Sequence, residues 1–240
     1  MVVLKKILDF YINSSLHVAL SAFALVSMTQ YFFGVQGDFS VAFFAFFGTV
    51  VGYNFVKYDA IARLNKTEIK KELKAIVFLS FISLLACFYF FLQLSWMSKL
   101  SAVAFFGLTL LYTLPFFPNK QNARNWKGVK IYIIGITWVG VTVILPLVET
   151  EIPFSIDMLL MAFQRFLLVF SIVLVFDIVD VKRDDLHLQT VPQKIGVEPT
   201  KKLGYLLLFL LLFLEFLYTN NHHFLLFFFK LLVSVTIAVF

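Results

Sequence analysis

Asp177, Asp180 and Asp184 are spaced three and four residues apart, directly after a long apolar run from Met158 to Phe176. On a helix that continues through them, this spacing sets three carboxylates on one face. Such a stripe repels itself unless something positive sits among the oxygens, either a Lys or Arg side chain or a divalent cation. Magnesium takes one or two protein carboxylates and completes its shell with water and the phosphate oxygens of a substrate. The stretch therefore reads in one of two ways. It is a place where a helix leaving a membrane presents carboxylates to Mg²⁺ and a phosphorylated ligand, or it is a solvated helix end with ordinary interfacial charge.

The elements that must position these acids are apolar to an unusual degree. Of 240 residues, 61% are hydrophobic and 14% charged, against about 25% charged in a soluble domain; the mean hydropathy is +0.91. Composition alone gives a polytopic membrane protein. The 32 Phe residues are read mainly as lipid-facing and inter-helix packing. The single Cys87 lies in an apolar run, which leaves no disulfide framework and no Cys-based metal site. No small-residue cleavage site follows the N-terminal residues, so no cleaved signal peptide is expected.

A membrane span needs about 20 apolar residues. Eight candidates follow: Leu16–Phe33, Phe39–Val56, Ala75–Leu94, Leu100–Phe117, Ile131–Val148, Ile156–Phe176, Leu203–Tyr218 and Phe224–Phe240. Leu4 to Tyr11 reads as a short amphipathic interfacial helix ahead of the first span. Of the 20 Lys and Arg residues, seventeen fall at the N-terminus and in the connections after spans 2, 4 and 6. Only Lys99 falls in the other set of connections, and Arg165 and Lys230 fall inside spans. Short basic loops stay cytoplasmic, which puts the N-terminus inside and all the polar chemistry on the inner side. The +6 net charge is thus a property of membrane topology and does not indicate nucleic acid. The expectation is one all-α domain over residues 1–240, a transmembrane bundle with a polar pocket open to the cytoplasm. An integral multi-pass protein of a bacterial cytoplasmic membrane is the expected setting.

The acidic stretch also carries a family resemblance. Asp177-x-x-Asp180-x-x-x-Asp184 followed by Thr190-x-Pro192-x-x-x-Gly196 resembles the second aspartate-rich motif of the UbiA superfamily of intramembrane prenyltransferases. The resemblance implies a UbiA-like fold in which Asp177, Asp180 and Asp184 hold Mg²⁺ and a polyprenyl diphosphate at the cytoplasmic end of a helix. It implies ionisation at the allylic carbon, with Mg²⁺ and cationic side chains stabilising the diphosphate leaving group. Attack by an aromatic or lipid acceptor then follows, and the prenyl tail runs out into membrane lipid. Family members usually have nine spans. Either the ninth is absent here or the chain is a shortened version.

The first aspartate-rich motif of that family should fall after span 2, in Gly52-Tyr53-Asn54-Phe55-Val56-Lys57-Tyr58-Asp59-Ala60-Ile61-Ala62-Arg63. Asn54 matches. The acid positions hold Phe55, Tyr58 and Ala62, and Asp59 comes one residue late, about 100° around a helix. The resemblance points to Asn54, Lys57, Asp59 and Tyr112 for catalytic roles; with the first motif degraded, the site binds one Mg²⁺, uses Lys57 in place of a metal, or has lost the chemistry, and for Lys57 and Arg63 plain topological charge is the other reading. In the connection after span 4, Lys120, Arg124, Lys127 and Lys130 read as diphosphate ligands or as topological charge. Lys130 is favoured because it is nearest the start of span 5, and Lys182 joins the group from the acidic stretch. Tyr53, Tyr58 and Tyr112 are the best-placed π-faces for an allylic cation.

Ionisable groups inside spans are paired or functional by default. Arg165, Glu215 and Lys230 read as a structural pair or triad centred on Glu215, with Arg165 about 18 Å along its helix from Asp177. Three functions remain in competition: a Mg²⁺-dependent prenyltransferase, a catalytically impaired prenyl-lipid-binding member of the same fold, and a small secondary transporter whose acids bind a coupling ion. The last is disfavoured because transporters place such acids near the membrane midplane, whereas these cluster at one end.

Overall fold

The computed structural model describes residues 2–35, 39–64, 71–114, 123, 126, 128–182, 188–218 and 224–239, without the side chains of 2–3, 59–64, 71–72, 224–229 and 238–239. Among the described residues there is helix and no strand. The helices in chain order are α1 (Val2–Asn13), α2 (Leu16–Phe32), α3 (Ser40–Leu64), α4 (Lys71–Gln93), α5 (Trp96–Thr113), α6 (Lys130–Val139), α7 (Leu145–Glu149), α8 (Ile156–Asp180), α9 (Val191–Ile195), α10 (Val197–Phe213) and α11 (Phe224–Val239). A π-helical turn, Gly140–Ile144, joins α6 to α7, and a 3₁₀ turn, Leu214–Leu217, follows α10. Each apolar run read as a span holds helix over most of its described residues. Among the described residues, four stretches are long and apolar enough to cross a membrane: Ser40–Tyr58, Leu73–Gln93, Lys130–Glu149 and Ile156–Asp180. The pair α1 and α2, bent by 62°, would make a fifth if it were a single span.

The chain divides into two compact units. The first holds residues 1–102 and the short Leu145–Glu151 segment. Here α3 lies against α2 on one side and α4 on the other. The contacts are built from small side chains: Ala19, Ala22 and Val26 on α2 and Val41, Ala42, Ala45 and Val50 on α3 are all buried. Small residues let apolar helices approach closely, which is how helices associate where no hydrophobic drive separates them from lipid. The Phe residues fill the flanks, with the Phe90 ring 5.3 Å from Phe43 and 6.0 Å from Phe47. Many others face outward, among them Phe78, Phe81 and Phe88, as expected for rings against lipid. The turn between α4 and α5 is closed by Glu149, whose carboxylate accepts the Ser95 N–H at 3.0 and 3.2 Å.

The second unit holds residues 103–144 and 152–240, organised around α8. Ser155 caps α8 by accepting the Met158 N–H at 3.2 Å, with Asp157 in the first turn, both favourable at a helix N-terminus. One face of α8 packs on α6: Ile131 meets Val169, Val173 and Leu174. The other packs on α10, where Leu167 meets Leu211 and Leu214. Helix α6 is notched by glycine. A Cβ on Gly135 would sit 2.5 Å from the Phe166 ring, and one on Gly140 would run into the Phe105 ring. The π turn that starts at Gly140 has a local cause. Pro146 has no N–H to give the carbonyl of Thr142, and its ring clashes with that carbonyl in regular α-helix; one widened turn accommodates both.

Candidate functional site

The end of α8 is where sequence and geometry meet. Asp177 is 2% exposed, and its Oδ1 accepts from Lys130 Nζ at 2.8 Å. Lys130 is the first residue of α6. The positive end of one helix dipole, and a cation on it, thus face a carboxylate at the negative end of another. The stripe expected to hold a positive partner has one at its first acid, and that partner is an ammonium. The helix expected to run on through Asp184 ends at Asp180. Two acids in a last turn that contains no basic residue work against helix continuation. Asp177 and Asp180 share that last turn, with Asp180 half-buried and Lys182 exposed beyond it. Asp184 lies outside the described residues, as do Lys120 and Arg124.

The Thr190-to-Gly196 stretch starts the next helices. The Thr190 N–H donates to the Gln193 side chain at 2.9 Å, Pro192 sits in the first turn of α9, and Gly196 has φ +87° and ψ 165°. That conformation is open essentially to glycine alone, which explains the residue type where α9 hands over to α10. The segment folds back on the start of α6. The Gly128 N–H donates to the Leu188 carbonyl at 3.3 Å, and a Cβ on Gly128 would sit 3.7 Å from Lys194 Nζ. Lys194 therefore reaches the same corner as Lys130. Sequence reading counted Lys194 only as topological charge, and its only local signal was its position inside the Thr-x-Pro-x-x-x-Gly stretch.

The α3 candidates lie in the first unit. Asn54 is 4% exposed, and its amide donates to Ser80 Oγ of α4 at 2.9 Å. Lys57 Nζ donates to the Asn13 carbonyl at 3.3 Å and to its side-chain oxygen at 3.4 Å, and the Tyr58 hydroxyl donates to the same carbonyl at 2.8 Å. A cation and a hydroxyl thus close the C-terminus of α1. Asp59 is in α3, with its side chain outside the description, and Tyr112 of α5 is half-buried. Tyr53 is 40% exposed.

The charged residues inside spans form a network. Lys230 Nζ is 2.5 Å from Glu215 Oε2 and 2.9 Å from Gln164 Oε1. Gln164 Nε2 donates to Glu215 at 3.0 Å and to the Leu211 carbonyl at 2.9 Å, while the Tyr218 hydroxyl donates to Gln164 Oε1 at 2.7 Å. Arg165 is buried beside them, within electrostatic reach of Tyr218 and Lys230. Glu215 is paired as expected, and Gln164 is as much a centre of the network as Glu215 is. Gln164 and Tyr218 were missed because neither carries a charge that stands out in an apolar run.

Mg²⁺ needs hard oxygen donors, and Asp177 and Asp180, one turn apart, are donors of that kind. In this corner the Asp177 carboxylate is paired with the Lys130 ammonium. No protein-family model matches the chain, and no curated protein or solved structure matches it.

Proposed function

We propose that the chain is an intramembrane prenyltransferase of the UbiA type, moving a prenyl group from a polyprenyl diphosphate to an aromatic or lipid acceptor with Mg²⁺. The observation that carries this reading is the buried Asp177 carboxylate, balanced by Lys130, at the foot of a 25-residue apolar helix. A buried carboxylate at the rim of an apolar bundle is expensive unless it is paired. It is paired here in the one stretch whose spacing suits a metal–diphosphate ligand. The proposed topology has eight spans, with the N-terminus and the Asp177 corner on the cytoplasmic side, as the Lys and Arg distribution favours.

Each described residue then has a task. Asp177 and Asp180 supply oxygen donors at the end of α8. Lys130 holds Asp177 in place and, with Lys182 and Lys194, sets a positive field for the diphosphate. When bound, Mg²⁺ would supply Lewis-acid stabilisation of the departing diphosphate. The apolar faces of α6 and α8 exclude water from the prenyl chain. The roles of Asn54, Lys57, Asp59 and Tyr112, and of Lys120, Arg124 and Asp184, rest on the resemblance alone.

A second reading is favoured by the same contact. Lys130 already neutralises Asp177, and Phe55, Tyr58 and Ala62 stand where the first motif of the family has acids. A prenyl-lipid-binding member without turnover fits both facts. One assay separates the two. Purified protein and Asp180→Ala are given geranyl, farnesyl and longer prenyl diphosphates, with and without Mg²⁺, and pyrophosphate release and binding are both measured. Mg²⁺-dependent release that vanishes in the variant supports the enzyme. Mg²⁺-dependent binding without release, across a panel of acceptors, supports the binder. No binding by either protein removes both.

A further inference from the structure

Helix α1 has a clean division of faces. At 100° per residue, Leu4, Ile7, Leu8 and Ile12 fall on one side, and Lys5, Lys6 and Asp9 on the other. The four apolar side chains are 72, 60, 53 and 46% exposed, so the chain's own fold leaves this face uncovered.

We infer that α1 lies in the plane of the membrane and docks on an anionic lipid surface, with its apolar face in the acyl boundary and its two lysines among the headgroups. Three observations select lipid as the occupant. The first is the elbow: α1 and α2 are bent by 62°, so with α2 upright α1 runs close to the bilayer plane. The elbow is a built one. Ser14 and Ser15 are buried, Ser15 takes φ 61°, and Lys57 and Tyr58 hold the Asn13 carbonyl from α3. The second is charge. Lys5 and Lys6 fall at the two margins of the polar face, about 100° apart, where ammonium groups reach lipid phosphates while their stems stay on apolar surface. The third excludes the straight alternative. If α1 and α2 made one broken span, Lys5, Lys6 and Asp9 would enter hydrocarbon, which charged groups avoid. In the plane they face water.

The test uses the full-length protein in a Cys87→Ser background. Leu8→Cys, Ile12→Cys and Asp9→Cys are labelled separately with an environment-sensitive fluorophore. Each is reconstituted in phosphatidylcholine vesicles with or without phosphatidylglycerol. The labels at 8 and 12 should be quenched by lipids with a shallow nitroxide, and the label at 9 by aqueous iodide. Phosphatidylglycerol should strengthen the shallow quenching. Lys5→Gln and Lys6→Gln should each lower the docked population about fivefold, as expected for one cation at an anionic surface. Two apolar-face labels guard against one variant folding badly, and size-exclusion profiles report on all of them. Iodide quenching at 8 and 12 equal to that at 9 would overturn the inference. So would quenching by mid-bilayer nitroxides, which would put α1 within a span. Shielding that appears only at high protein-to-lipid ratio, with energy transfer between labels, would assign the face to a second copy of the chain instead.

Discussion

Lys130 Nζ and Asp177 Oδ1 are 2.8 Å apart, yet the two residues stand at opposite kinds of helix end, the first residue of α6 and the last turn of α8. Because Asp177 is almost fully buried and Lys130 largely so, removing the lysine takes a close cation from a buried carboxylate. Lys130→Ala should cost about 3–5 kcal/mol, read as a lowered unfolding midpoint in detergent. Asp177→Asn should be milder, and combining it with Lys130→Met should recover much of the loss. Additive losses would mean that the pair is not coupled.

Ligand linkage gives a readout that does not depend on turnover. A prenyl diphosphate with Mg²⁺, at a hundred times its Kd, should stabilise the protein by about 2.7 kcal/mol. EDTA and Asp180→Ala should each abolish that shift in a thermal melt. A shift that survives both would place the ligand away from the end of α8.

Two glycines of α6 should tolerate nothing larger. Gly135→Ala and Gly140→Ala drive a methyl into Phe166 and Phe105 respectively, and such overpacking typically costs about 1–3 kcal/mol. Gly204 of α10 has open space around it. Gly204→Ala should raise stability by roughly 0.5–1 kcal/mol, because alanine favours the helix. Denaturant titration of the three variants side by side checks the contrast.

The Glu215–Lys230 pair should act as a tie for α11. Glu215→Gln removes the charged partner of a largely buried ammonium that also donates to Gln164, and Lys230→Met removes the ammonium itself. Each should loosen α11, seen as faster hydrogen exchange over 224–239 than over α8. The double variant should lose less than the two single losses together, since neither half of the pair is left facing the other's absence. Pyrophosphate release should stay near wild type in all three.

Helix positions were open to sequence reading because hydropathy is a one-dimensional signal. A span must be long and apolar wherever it packs, and the described part of each run so marked is largely helix. The carboxylate spacing at 177 and 180, and the need for a cation beside it, were legible for the same reason: helical neighbours are set by local geometry. Which cation it is depended on α6 folding back so that residue 130 meets residue 177, a contact across 47 positions. Gln164 and Tyr218 joined Glu215 and Lys230 by the same kind of long-range pairing, which no composition reports. The π turn and the glycine notches were decided where Pro146, Phe105 and Phe166 had to be accommodated. Local chemistry specified which segments become helices, and only packing among helices distant in sequence determined which polar groups meet, because an isolated helix has no means of choosing its neighbour.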